Sequence, residues 1–111
     1  MATLNELLTL KGVVEVGEFT PDGKLLDYKA KMDMSRDLAQ TSAQFCGSVA
    51  MLFNTLGGAF THLSKMNWVP QKGWMYAGGD YTAAVGGTKG VFVETAEADF
   101  NELYRALAGP K

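Results

Sequence analysis

The side chains that could do chemistry in this 111-residue chain are few and lie far apart in the sequence. There is one histidine, His62, and one cysteine, Cys46, and neither has a second metal ligand or a catalytic base at a useful spacing. We interpret His62 as a solvated residue on a helix surface. Cys46 has no basic residue beside it on its helix stripe that would lower the pKa of its thiol, so we interpret it as a packing residue.

Glycine-rich segments and carboxylates give no stronger catalytic signal. Residues 86–90, Gly-Gly-Thr-Lys-Gly, have the composition of a phosphate-binding loop, but the order is wrong and the segment leads into a predicted strand. The carboxylates Asp22, Asp27, Asp33 and Asp37 are scattered through turns and strand ends, which is not the pattern of paired acid–base catalysis. The sequence therefore predicts no enzymatic activity, no cofactor and no metal site. A nucleophilic role for Cys46 is the disfavoured alternative.

Composition bounds the class of protein. A hydrophobic content of 47% with 20% charged residues is ordinary for a globular chain, and the length predicts one domain over residues 1–111. With a net charge of −2, the chain lacks the excess positive charge that attracts nucleic acid or an anionic membrane. The N-terminus lacks the basic start and apolar run of a signal peptide, and no apolar run approaches the roughly 20 residues that cross a bilayer. With a single cysteine, we expect a cytoplasmic protein without nucleic-acid or membrane partners.

The longest predicted element is a helix over residues 35–66, with Ser35 as its N-cap and Asp37 in its first turn. Its apolar residues fall on two adjacent stripes at helical spacing. The leucine-rich stripe contains Leu38, Phe45, Val49, Leu52, Leu56, Ala59 and Leu63, and the small-residue stripe contains Ala39, Ala43, Cys46, Ala50, Phe53, Gly57 and Phe60. One stripe suffices to cover a sheet, so the other is predicted to be covered by something else, most simply a partner chain. Which stripe faces inward stays open.

Shorter elements surround this helix. Thr3 and Glu6 have capping-box spacing at the start of a first helix, which Gly12 is predicted to end. Strands are predicted over residues 13–19, with Gly17 as a possible bulge, and over 24–30, joined by the turn Pro21-Asp22-Gly23. Three further strands are predicted over residues 72–77, 81–85 and 90–94, and Thr95 is predicted to cap a last helix. The resulting order is α-β-β-α-β-β-β-α.

This chain resembles the roadblock/dynein light chain superfamily, and especially a small bacterial branch of it. The resemblance rests on residues 12–16 at the first strand, the Pro21-Asp22-Gly23 turn, the helix over 35–66 and the three glycine-punctuated strands. It implies an α+β, profilin-like fold: a five-stranded antiparallel sheet with helices on both faces.

The resemblance also implies a non-enzymatic protein that forms dimers, in which long helices pack antiparallel and middle strands pair so that the sheets merge. Carried over by position, the residues that would meet the partner are Cys46, Ala50, Phe53, Gly57 and Phe60 on the helix and Trp74 and Tyr76 on the strand. The hypothesis is a homodimeric scaffold or regulatory module that binds a protein partner, with a small Ras-like GTPase as one candidate. The alternative is a small-molecule-binding sensor domain with an apolar pocket between sheet and helix.

Overall fold

A computed structural model describes residues 2–109 and shows the predicted helices and strands in the predicted order. The elements are α1 (Leu4–Leu8), β1 (Val13–Phe19), β2 (Leu25–Ala30), α2 (Arg36–Ser64), β3 (Gly73–Ala77), β4 (Tyr81–Gly86), β5 (Lys89–Glu94) and α3 (Phe100–Leu107). A short 3-10 turn, Thr95–Glu97, separates β5 from α3. Two predicted caps are confirmed: Thr3 and Glu6 form a capping box, and the Ser35 hydroxyl accepts a hydrogen bond from the Leu38 amide.

The five strands form one antiparallel sheet in the order β2-β1-β5-β4-β3. The β1–β2 hairpin turns at Pro21-Asp22-Gly23, where Gly23 has a φ of 90° that other residues rarely adopt. The meander β3–β4–β5 joins this hairpin through the pairing of β5 with β1. The sheet therefore ends in two edges, β2 on one side and β3 on the other.

The two faces of the sheet are covered unequally. α1 and α3 cover one face and form the main core with the strands, through Leu4, Leu7, Val13, Val16, Ala84, Val91, Val93, Leu103 and Leu107. α2 crosses the opposite face, where Ala43 packs with Phe19 and Val85 in a smaller cluster. The sheet thus has helices on both faces, as predicted, but only the α1/α3 face is fully packed.

α2 approaches its own chain very closely at two glycines. A Cβ placed on Gly47 would lie 2.8 Å from the Cα of Gly23, so the helix rests directly on the β1–β2 turn. A Cβ placed on Gly57 would lie 3.0 Å from the carbonyl oxygen of Trp68, because the segment that follows α2 folds back along it. The close approach at Gly57 is therefore to backbone of the same chain.

Two details of the first half differ from the sequence predictions. α1 ends at Leu8, because the Thr9 hydroxyl donates to the Glu6 carbonyl oxygen and caps it; Gly12, with a φ of 79°, belongs to the turn that leads into β1. Gly17 is not a bulge, since it pairs regularly with Tyr28 and Gly90. The irregularities lie at the two ends of β1 instead.

The last helix also starts later than predicted. Thr95 opens the 3-10 turn, and the N-cap of α3 is Asp99, whose carboxylate accepts a hydrogen bond from the Glu102 amide. The Thr95 hydroxyl lies 2.9 Å from the Thr82 hydroxyl and hydrogen-bonds with it, so it is not free to cap a helix. Ala98 is extended, with a ψ of 133°, and separates the two helical segments.

Candidate interaction surface

The orientation of α2 answers the question of which stripe faces inward. On the small-residue stripe, Ala39 is 2% exposed and Ala43 is equally well buried against the sheet. On the leucine-rich stripe, Phe45 and Leu52 are each 66% exposed. The larger apolar side chains of α2 therefore face away from the core of their own chain, together with Leu38, Leu56 and Leu63.

The predicted interface residues of the small-residue stripe do not all lie at the surface. Gly57 is buried under Trp68 and Val69, and Cys46 and Ala50 are half-buried. Cys46 packs against the cluster that contains Phe19. Gly57, Cys46 and Ala50 therefore lie on the side of α2 that faces its own chain, and they offer a partner little accessible surface.

The aromatic members of the predicted interface are more accessible. Phe53 packs edge-to-face on Trp74, with ring centroids 6.1 Å apart, and Tyr76 on the same strand is 68% exposed. Phe60 makes a similar contact with Trp68, at 5.0 Å, near the C-terminal end of α2. The structure therefore brings Phe53, Trp74 and Tyr76 together and places Phe60 in a separate cluster.

An open apolar groove lies between α2 and the strands β3, β4 and β5. Its volume is about 570 Å³, and it is lined mainly by Phe45, Val49, Phe53, Trp74, Tyr76 and Phe92. A neighbouring groove of about 430 Å³ continues along the sheet past Leu38 to Met32 and Met34. The grooves exist because α2 contacts the sheet mainly at β1 and β2 and leaves the adjoining face of β3, β4 and β5 largely uncovered.

The two sheet edges have opposite character. β2 carries exposed charges, Asp27 and Lys29, which discourage another strand from pairing with it. β3 reads Gly-Trp-Met-Tyr-Ala, without a charge, and hydrogen-bonds to β4 on one side. Beside the groove, the outer edge of β3 is therefore a strand edge with no charge to prevent pairing.

A buried carboxyl group lies on the α2 face of the sheet. Glu15 is 5% exposed, and its carboxyl has no hydrogen bond or ion pair with any other residue between 2 and 109. Burial raises the pKa of Glu15 to about 7. Burial, together with the nearby Glu15 charge, raises the pKa of the Cys46 thiol to about 11. Cys46 is consequently a neutral thiol near pH 7, in agreement with a packing role.

The buried state of Glu15 gives a pH-dependent stability. Because its pKa is about 7 in the folded state and near 4.5 when unfolded, the folded state holds a proton that the unfolded state releases. The contribution of Glu15 to stability is therefore most favourable below pH 4.5, where its carboxyl is protonated in both states, and is lost as the pH rises to 7. The free energy of unfolding should fall by up to about 3 kcal/mol between pH 4.5 and pH 7. Urea denaturation at pH 5 and pH 8 should show this fall in the wild type and not in Glu15→Gln. Equal pH dependence in both proteins would contradict it.

The residues considered for chemistry stay dispersed in the fold. His62 is exposed on α2. Across residues 2–109, histidine, cysteine and acidic side chains form no group of three or more that could hold a metal ion. In the same range, none of the helices combines the length and the apolar character needed to cross a membrane.

The family model described as "Uncharacterized conserved protein (DUF2173)" matches residues 3–109. The chain belongs to the DUF2173 family. A search of curated proteins finds no significant match for this DUF2173 chain.

Solved structures show which fold this DUF2173 chain has. A Roadblock/LC7 domain from Streptomyces avermitilis superposes with a TM-score of 0.75 at 13% identity, over 95% of this chain and 85% of that one. MglB of Myxococcus xanthus superposes with a TM-score of 0.60 at 11% identity, over 86% of this chain and 80% of its own. At such identities the similarity establishes the fold. The chain has the roadblock/LC7 fold, which confirms the predicted resemblance and fold class.

Proposed function

We propose that this DUF2173 protein is a non-enzymatic interaction module that acts as a homodimer in the cytoplasm. The observation that carries the proposal is the continuity of three unpartnered features: the uncharged β3 edge, the apolar groove beside it, and the exposed leucine-rich stripe of α2. Contiguous apolar surface of this kind marks a contact site for another macromolecule.

A second copy of the chain fits all three features at once. In a twofold dimer the same patch on each chain contacts itself, so β3 of one chain can pair with β3 of the other. The paired edges would bring each leucine-rich stripe over the partner's groove and cover Phe45 and Leu52. Phe53, Trp74 and Tyr76 would then form the centre of the contact, with Cys46, Ala50 and Gly57 packed behind them and Phe60 at its end.

The dimer would present a composite surface to a further protein partner, as a scaffold or regulator. A small Ras-like GTPase is a candidate partner, supported by the resemblance to the roadblock superfamily. The exposed Phe60–Trp68 pair, with Leu63 beside it, is a second apolar cluster that such a partner could contact.

Light scattering over a range of protein concentrations tests the dimer directly. We expect a mass of about twice 12.0 kDa, stable on dilution into the low micromolar range. Hydrogen exchange locates the contact: amides of β3 should exchange more slowly as the concentration rises, whereas amides of the β2 edge should not change. A persistent monomer at high concentration, or protection at β2 instead of β3, would contradict the proposal.

A further inference from the structure

A narrow cleft lies between the N-terminal half of α2 and the sheet. Gly17 of β1 and Gly90 of β5 pair with each other at this point, so no side chain fills the space between sheet and helix. The cleft has a volume of about 40 Å³, which is room for roughly three water-sized groups. Its lining residues Cys46, Ala83 and Phe92 also line the larger groove, so the cleft continues into it.

Glu15 is the charged residue among those lining this cleft. The other polar groups there make no hydrogen bond with it: the Ser42 hydroxyl donates to the Leu38 carbonyl oxygen at 2.8 Å, and the Cys46 thiol is only a weak donor. Buried polar groups nearly always have a hydrogen-bond partner, and a buried carboxylate without one is costly. None of the described residues hydrogen-bonds to the Glu15 carboxyl, and its oxygens are not among the fully enclosed side-chain atoms, so a donor group from outside the chain can reach them through the cleft.

We propose that the cleft is the polar end of a small-molecule site, in which the Glu15 carboxylate binds a primary ammonium group and the ligand's apolar body lies along Ala83 and Phe92. An ammonium group fits because it is small and supplies both charge and N–H donors, and charge-assisted hydrogen bonds in apolar surroundings are the strong ones. The cleft is lined by residues of one chain, but Ala83 and Phe92 also line the groove that the proposed dimer would cover, so the ligand's apolar body and the partner's leucine-rich stripe would share this groove.

The proposal is tested by calorimetry with methylamine, n-butylamine and benzylamine on the full chain at pH 8, with benzyl alcohol as the neutral control for benzylamine. At least one amine should bind the wild type. Its affinity should fall by about 10- to 100-fold in Glu15→Gln, and benzyl alcohol should bind more weakly than benzylamine by a similar factor. Binding should also release protons when measured near pH 7, so the heat should vary between phosphate and Tris buffers.

A readout on the wild type makes the test independent of the folding of the Glu15→Gln variant. The carboxyl carbon of Glu15, observed by NMR, should shift towards the ionised form when the bound amine is added near pH 7. Lack of binding by all three amines, equal binding of benzyl alcohol, or unchanged affinity in Glu15→Gln would overturn the proposal. A Glu15→Gln variant that loses dimer mass while keeping amine affinity would also overturn it, by assigning the carboxyl to the dimer contact.

Discussion

Replacing Leu52 with glutamate is expected to turn the proposed dimer into a folded monomer. Leu52 is exposed in the single chain, so the change should leave the fold of that chain nearly unaltered, as judged by its circular dichroism spectrum. In the proposed dimer the same side chain is buried against the partner, where an unpaired charge costs about 3–5 kcal/mol. The dissociation constant should therefore rise by at least about a hundredfold, which light scattering at several concentrations would show.

The matched control for this variant is Gln44→Glu. Gln44 is exposed on the polar side of α2, roughly 80° around the helix from Leu52, so it adds the same charge away from the leucine-rich stripe. Gln44→Glu should keep the mass of the wild type. If Leu52→Glu also keeps that mass, the leucine-rich stripe is not the interface; if it unfolds, the stripe belongs to a core.

Replacing Gly47 with valine is expected to give a large loss of fold stability. Even the first carbon of the new side chain would lie 2.8 Å from both the backbone nitrogen and the Cα of Gly23, and backbone cannot move aside as a flexible side chain can. α2 would have to lift from the β1–β2 turn. We expect the free energy of unfolding to fall by roughly 2–4 kcal/mol and the melting temperature by on the order of 10 °C or more.

Gly58, in the same helix, is a position where a larger residue is expected to raise the stability of the fold. At Gly58 an added Cβ has no neighbour within 4 Å among the described residues, outside its own helix turn. Gly58→Ala should therefore raise stability by about 0.5–1 kcal/mol, because alanine favours the helix. Thermal melts monitored by circular dichroism compare the two variants. A Gly47→Val protein as stable as the wild type would show that α2 does not rest on the turn.

The elements of this fold were predictable because their signals are local. The capping box of Thr3 and Glu6, the Ser35 cap and the Asp22-Gly23 turn each depend on a few neighbouring residues, and each is present in the structure. The start of α3 was not predictable in this way. Thr95 and Asp99 are both good N-cap residues, and the choice depends on the Thr82 hydroxyl, which is distant in sequence and already holds the Thr95 side chain.

Side-chain size alone could not decide which stripe of α2 faces the sheet. Large apolar residues usually form the core, which favours the leucine-rich stripe as the inward one. The structure reverses this, because a helix that rests on the backbone of Gly23 has room only for glycine and alanine between them. That contact depends on how the β1–β2 turn meets the helix, which no local pattern specifies.

The buried position of Glu15 was missed for a similar reason. A shift of register between Val13 and Glu15 places Val13 and Val16 together in the α1/α3 core, against the simple alternation of a strand, whereas Glu15 lies on the α2 face with Gly17 and Phe19. The available signal was an acidic residue within a run of valines. It indicated an unusual position and did not tell which face would receive the carboxyl.

The unequal edges of the sheet determine the stoichiometry of any assembly built by strand pairing. A sheet with two uncharged edges can add chains at both ends and grow into a fibre. Here the charged side chains of β2 disfavour pairing with a further strand. In the proposed dimer the free edge of β3 is occupied once it pairs with β3 of the second copy. The merged sheet of the proposed dimer would therefore close at two chains and ten strands, with a charged strand at each outer boundary.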